Sequence, residues 1–125
     1  MEVLDTSVLI AGAIPKGDRA AISVVSVAEL HFGLLIAKDE EMRARRVSRL
    51  GLIEARFPDP LPLDDQVARE WGRLKAAVAQ RGGQPRRREA DLAIAATANV
   101  QGAALLTHNA KDFKIVEDLV DLRAP

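Results

Sequence analysis

Apolar and polar positions alternate along this chain in blocks too short for a helix and blocks too long for a strand. The run Val3-Leu4 breaks at Asp5-Thr6-Ser7, and apolar residues resume at Val8. The first block predicts a buried strand over residues 1–5, and Ser7 or Thr6 is a natural N-cap for a helix after it. Further strands are predicted at 22–25 (ISVV), at 103–107 (AALLT) and, more weakly, at 119–123 (LVDLR). Between them, Val47, Leu50, Ile53 and Phe57 form one stripe at helical spacing, and Val67, Trp71, Leu74 and Val78 form a second. PDPLPLD separates those two helices and RGGQP ends the later one. In SVAELHFGLLIAK, Val27, Leu30 and Leu34 share one helical face, while Phe32 and Ile36 lie roughly opposite and need a separate cover. Strands alternating with helices predict an α/β fold with a mostly parallel sheet covered on both faces.

Composition narrows this picture. The 125 residues, 48% of them hydrophobic, fit a single domain spanning 1–125. Absence of cysteine excludes a disulfide frame and thiolate metal sites. The first residues carry no basic and apolar leader, and no run approaches a membrane span, so a cytoplasmic location is expected. Eighteen basic residues balance eighteen acidic ones, so attraction to a polyanion has to come from local patches.

Four acids lie at expected strand-to-helix junctions or in first helical turns: Asp5, Glu29, Asp91 and Asp112. Each also has a structural reading. Ser26-Val27-Ala28-Glu29 matches a capping box, Asn109-Ala110-Lys111-Asp112 imitates one, Asp91 complements a helix dipole, and Asp5 suits a turn. Taken together they point elsewhere, because the junctions of a parallel sheet share one edge, where ligands bind. Two carboxylates 4 Å apart repel by roughly 4 kcal/mol at an effective dielectric of 20, so four in one pocket call for a cation. With oxygen ligands and no cysteine, Mg²⁺ or Mn²⁺ is expected rather than Zn²⁺.

The segments LDTSVLI, SVVSVAEL, ADLAIAATA and LLTHNAKDF, in that order, make the chain resemble a PIN-domain ribonuclease, in particular the VapC-type toxins of type II toxin–antitoxin pairs. The resemblance covers nearly the whole chain and implies a three-layer α/β/α sandwich. It carries metal binding and catalysis onto Asp5, Glu29, Asp91 and Asp112, and a metal-adjacent polar role onto Ser7, Thr107 and Asn109. It further implies an antitoxin helix or tail beside Glu29, on Phe32 and Ile36, and a homodimer. This chain departs from common members in a short segment between Asp5 and Glu29, and in His108, where many relatives carry another polar residue, often Arg.

The chemistry that follows is phosphodiester hydrolysis of RNA by metal-activated water, leaving 5′-phosphate and 3′-hydroxyl ends. No lysine, cysteine or activated-serine constellation offers another nucleophile. Arg86, Arg87 and Arg88 stand just upstream of Asp91, against the helix dipole, and are the expected RNA contacts; Arg81 precedes them. The series Arg43, Arg45, Arg46, Arg49 and Arg56, mixed with glutamates, reads as an outer charged face. His108 is a proton shuttle or a surface residue, His31 is structural and Trp71 is core. With aromatics at 3%, base stacking has little material. Two alternatives remain at this stage. One is a non-catalytic PIN-like RNA-binding module; the other is a small-molecule phosphohydrolase with Asp5 as nucleophile, which normally wants an acid at position 7, where Ser7 stands.

Overall fold

The computed structural model describes residues 1–12, 14–16 and 19–125. Among these described residues the sheet has four strands, β1 (Glu2–Leu4), β2 (Ala20–Ala21), β3 (Ala104–Leu106) and β4 (Leu122–Arg123), in the order β2-β1-β3-β4. Every neighbour pair is parallel, with Glu2 beside Ala20 and Ala104, and Leu105 beside Leu122. Side chains alternate across the pleat, as the period of two requires. Val3 and Leu105 face one core with Leu74, Ile94 and Phe113, whereas Leu4 and Leu106 face another with Leu9, Leu30 and Ile53. Two cores on two faces make the three-layer α/β arrangement expected from the alternation.

Among the described residues, five α-helices cover the sheet: α1 (Thr6–Ala11), α2 (Val24–Leu35), α3 (Glu40–Arg56), α4 (Asp65–Gln80) and α5 (Glu89–Val100), with short 3₁₀ segments at Pro85–Arg88 and Ala110–Val116. Asp39 and Asp64 cap α3 and α4 by accepting from Met42 and Val67 N–H. Gly12, at φ 79°, closes α1 in the left-handed conformation, donating its N–H to the Val8 carbonyl.

Several local expectations are corrected. Residues 22–25 are not a strand: β2 is Ala20–Ala21, and Ser23 caps α2 through its side chain, accepting from Val25 N–H. An apolar run opening a buried helix looks like a buried strand, and here the serine inside the run was the helix signal. The capping box at Ser26–Glu29 falls with it, since Glu29 lies in the second turn of a helix that begins at Val24. Neither Thr6 nor Ser7 caps α1; Asp5 does so by position, with its side chain turned elsewhere. Val47 is half exposed, although Leu50, Ile53 and Phe57 of its stripe are buried. Trp71 packs beside the first core under the Lys75 ammonium, 4.1 Å from the ring centroid. His31 bridges α2 to Glu54 of α3 at 3.3 Å.

Candidate active site

The carboxyl edge of the sheet carries the acids. Asp5 follows β1 directly, and its N–H continues the ladder to the Leu106 carbonyl. That register places Asp5 opposite the end of β3, where Thr107 follows. Asp5 is only 3% exposed, and its Oδ2 accepts from Thr107 Oγ1 at 2.7 Å and from Ser7 Oγ at 2.9 Å. The hydroxyls are held in turn: His108 N–H donates to Ser7 Oγ, and Asn109 N–H donates to Thr107 Oγ1. The other oxygen, Oδ1, is buried with no hydrogen-bond partner among the described residues. A buried carboxylate oxygen left unpaired costs desolvation that folding does not recover, so it marks a position that something else must satisfy.

Glu29 is fixed from α2 by a second hydroxyl pair. Thr6 Oγ1 lies 2.7 Å from Glu29 Oε1 and 2.9 Å from Ser26 Oγ. Thr6 is placed to donate to either acceptor, and its single proton serves one of them at a time. Asp91, in the first turn of α5, completes one wall of a cleft of about 570 Å³ lined also by Asp5, Ser7, Ile10, Glu29, His108 and Asn109. Burial, together with the nearby Asp5, Glu29 and Asp112 charges, pushes the Asp91 carboxyl up to about 6, and Arg88 pulls the other way.

Asp112 is near enough for its charge to act on Asp91 but does not line the cleft. It stands in the first turn of the 3₁₀ segment Ala110–Val116, outside the residues lining the cleft, and its Oδ1 accepts from Arg88 Nη2 at 3.1 Å. Among the described residues no three His, Cys, Asp or Glu side chains stand in ready metal-holding geometry. The donor set nevertheless suits a hard cation. Asp5 offers an unpaired buried oxygen, Asp91 is destabilised as an anion by burial and by its acidic neighbours, and Glu29, Thr6 and Ser7 line the same cleft with further oxygens.

A model of the PIN domain family matches residues 3–119. Ribonuclease VapC5 of Mycobacterium tuberculosis is 39% identical over 124 residues, covering 92% of this chain and 87% of that protein. The chain belongs to the PIN-domain family of VapC ribonucleases. Ribonuclease VapC8 of the same organism is 39% identical over 104 residues, spanning 79% of this chain and 91% of its own. In three dimensions this PIN domain superposes on a chain of VapBC-5 from M. tuberculosis, a member of the VapBC family of toxin–antitoxin systems. The TM-score is 0.81 and the identity 36%, with 98% of this chain and 95% of that one covered.

Two groups of the PIN-domain cleft escaped the sequence reading. Thr6 and Ser26 orient Glu29; the only available signal was Thr6 beside Asp5, and Ser26 had been absorbed into the supposed cap. The second group is Arg46 and Arg49, assigned above to an outer face. Arg43 and Arg45 do pair outward with Glu40 and Glu41, but Arg46 donates to the Gly33 carbonyl and, with Arg49, lines a cleft of about 330 Å³ beside Glu29, Ile10 and Ile36. The helical period places positions 46 and 49 on the α2 side, whatever the charges around them. Of the upstream arginines, Arg81 is tied to Asp118 and the Ile115 carbonyl, Arg88 to Asp112, and Arg86 and Arg87 are exposed. The second stripe of α2 is uncovered: Phe32 is 64% exposed, Leu35 70% and Ile36, the C-cap, 57%, with Ile10 of α1 alongside at 52%. No described helix is long and apolar enough to cross a membrane.

Proposed function

We propose that the chain is a metal-dependent endoribonuclease and the toxin of a toxin–antitoxin pair, using Mg²⁺ or Mn²⁺ held by Asp5, Glu29 and Asp91, with Asp112 as an outer ligand. The observation that carries this reading is Asp5, buried, fixed through Oδ2 by two hydroxyls and left open at Oδ1 beside two further carboxylates. A cation bound there supplies a lowered pKa for a coordinated water and a counter-charge for the phosphate. The remaining work falls to this chain. Ser7 and Thr107 hold the Asp5 carboxylate in one orientation, so Oδ1 is placed before substrate arrives. Thr6 does the same for Glu29. Asp91, raised to about 6 by burial and the neighbouring acids, holds a proton only at mildly acidic pH when no cation is present, and a bound cation would favour its ionised form. Attack of water at phosphorus with departure of the 3′ oxygen leaves 5′-phosphate and 3′-hydroxyl ends. Arg86, Arg87 and Arg88 contact the strand through phosphates, with Asn109 and His108 at the cleft rim.

RNA incubated with the protein in Mn²⁺ and in EDTA tests this directly. Fragments should form only with metal and ligate to an adaptor that requires a 5′-monophosphate; cleavage in EDTA, or ends that ligate only after phosphorylation, would sink the chemistry. The likeness to VapBC-5 and the uncovered Phe32–Ile36 stripe support an antitoxin helix or tail seated beside Glu29. Phe32→Asp is expected to abolish antitoxin binding in a pull-down while cleavage stays within about threefold, since a charge in an apolar groove removes an anchor without touching the acids. A homodimer belongs to the same proposal, and sedimentation of the purified chain decides it.

A further inference from the structure

Arg88 stands where local physics disfavours it. It is the residue preceding α5, at the positive end of the helix dipole and three positions before Asp91. Arg86 and Arg87, on the same 3₁₀ segment, point into solvent. Arg88 alone turns back: its Nη2 lies 3.1 Å from Asp112 Oδ1, the one ion pair made by any of the four acids among the described residues. The Asp112 side chain is 23% exposed and that of Arg88 47%, so the acid is sheltered while the guanidinium stays at the rim, within reach of water. A fork of N–H donors that fits one carboxylate fits a phosphate equally well.

We propose that Arg88 is an internal counter-ion of the acid cluster. It occupies Asp112 while the cluster is empty of metal and exchanges that carboxylate for a substrate phosphate when a divalent cation takes the acids. One residue thereby opposes metal binding in the free protein and favours RNA in the loaded one. The inference rests on the metal-site reading above.

Calorimetry of Mn²⁺ binding to the metal-free protein at low ionic strength separates the two. Arg88→Gln removes the pair, and Arg86→Gln removes the same charge from the same short segment without touching Asp112. Arg88→Gln should bind Mn²⁺ about three- to tenfold more tightly than wild type, somewhat more than a half-exposed ion pair alone provides because a nearby positive charge also disappears. Arg86→Gln should stay within about twofold, as expected for a screened charge. With Mn²⁺ saturating, the slope of log KM for RNA against log salt should fall by about 0.7 in Arg88→Gln, the loss of one single-strand phosphate contact. Equal Mn²⁺ affinities for the two variants, or an unchanged salt slope, would overturn the exchange while leaving the metal site standing. A wild-type protein that binds no Mn²⁺ would overturn both. Thermal melts in EDTA check that each variant is folded.

Discussion

Each end of the sheet carries a carboxylate in a polar cleft, and the two are in opposite condition. At the amino edge, Glu70 of α4 borders a cavity of about 410 Å³ with Arg73, Asn99 and Asp121. Its two oxygens accept from Arg73 Nε and Nη2 and from Asn99 Nδ2, all at 2.7 Å, and Asn99 also donates to the Leu119 carbonyl. Those partners, Arg73 first, hold the Glu70 carboxyl below its ordinary range. At the carboxyl edge, Asp91 faces other acids and is pushed up to about 6, while Asp5 keeps an oxygen with no partner. Similar concavity and similar residue types thus give a finished structural lock in one place and an unfinished electrostatic one in the other. What distinguishes a site from a strut is the sign of the imbalance.

Four experiments press on that contrast. The largest effect is expected for Asp5→Asn, which keeps the shape and removes the charge. Cleavage should fall by more than the 10–100-fold (about 1.4–2.7 kcal/mol) typical of losing an outer partner of a metal ligand, with the melting temperature in EDTA held or raised. Cleavage near the wild-type rate in a folded Asp5→Asn protein would move the chemistry elsewhere. Next is Glu70→Ala at the other edge, which strands Arg73 and Asn99. It should cost about 1–3 kcal/mol in urea unfolding and leave kcat unchanged, so a loss of activity at full stability would make the amino edge a site after all.

The third concerns pH in metal-free protein. Below the ordinary value of 3.8 Asp91 is protonated folded or unfolded; between there and about 6 the folded state binds the extra proton. Stability should therefore fall as pH rises through that window and level off above it. Asp91→Asn should flatten that decline, and an identical slope in the variant would assign the effect to other groups. The smallest shift is expected for Glu29→Gln. Thr6 can still donate to the amide oxygen, and one repelling charge is gone, so the protein in EDTA should gain about 1 kcal/mol, or roughly 3–5 °C. Its further gain on adding Mn²⁺ should be smaller than the wild type's; equal gains would put Glu29 outside the cluster.

Much of this was legible in the chain because it depends on spacing. An Asp ending a short apolar strand, acids opening helices, and strand–helix alternation jointly require one acidic edge, and Asp5, Glu29 and Asp91 line one cleft. What sequence order concealed was competition between equally good local partners. Ser26 and Glu29 satisfy a cap template three residues after the true cap, Ser23, because both serines precede apolar residues. Asp112 reads as a member of the acid edge, yet Arg88, distant in sequence, claims it. Arg46 and Arg49 share the composition of the outer face of α3 and differ from Arg43 and Arg45 only in angle around the helix. The unpaired Oδ1 of Asp5 has no sequence signature, because it depends on what is missing around it.

The bond between Thr107 and Asp5 joins residues 102 positions apart, and β1, first in the chain, lies between β2 and β3 in the sheet. Strand pairing over such a separation is a late and slow event for a folding chain. A ribosome extending this polypeptide has long since released residues 5 and 29 before residue 107 exists to orient the first of them. The cleft is therefore assembled only after residue 107 has been made: a shorter copy carries three of the acids but only Ser7, one of the two hydroxyls that aim Asp5, and so the acidic edge stays unfinished until the chain has passed that point.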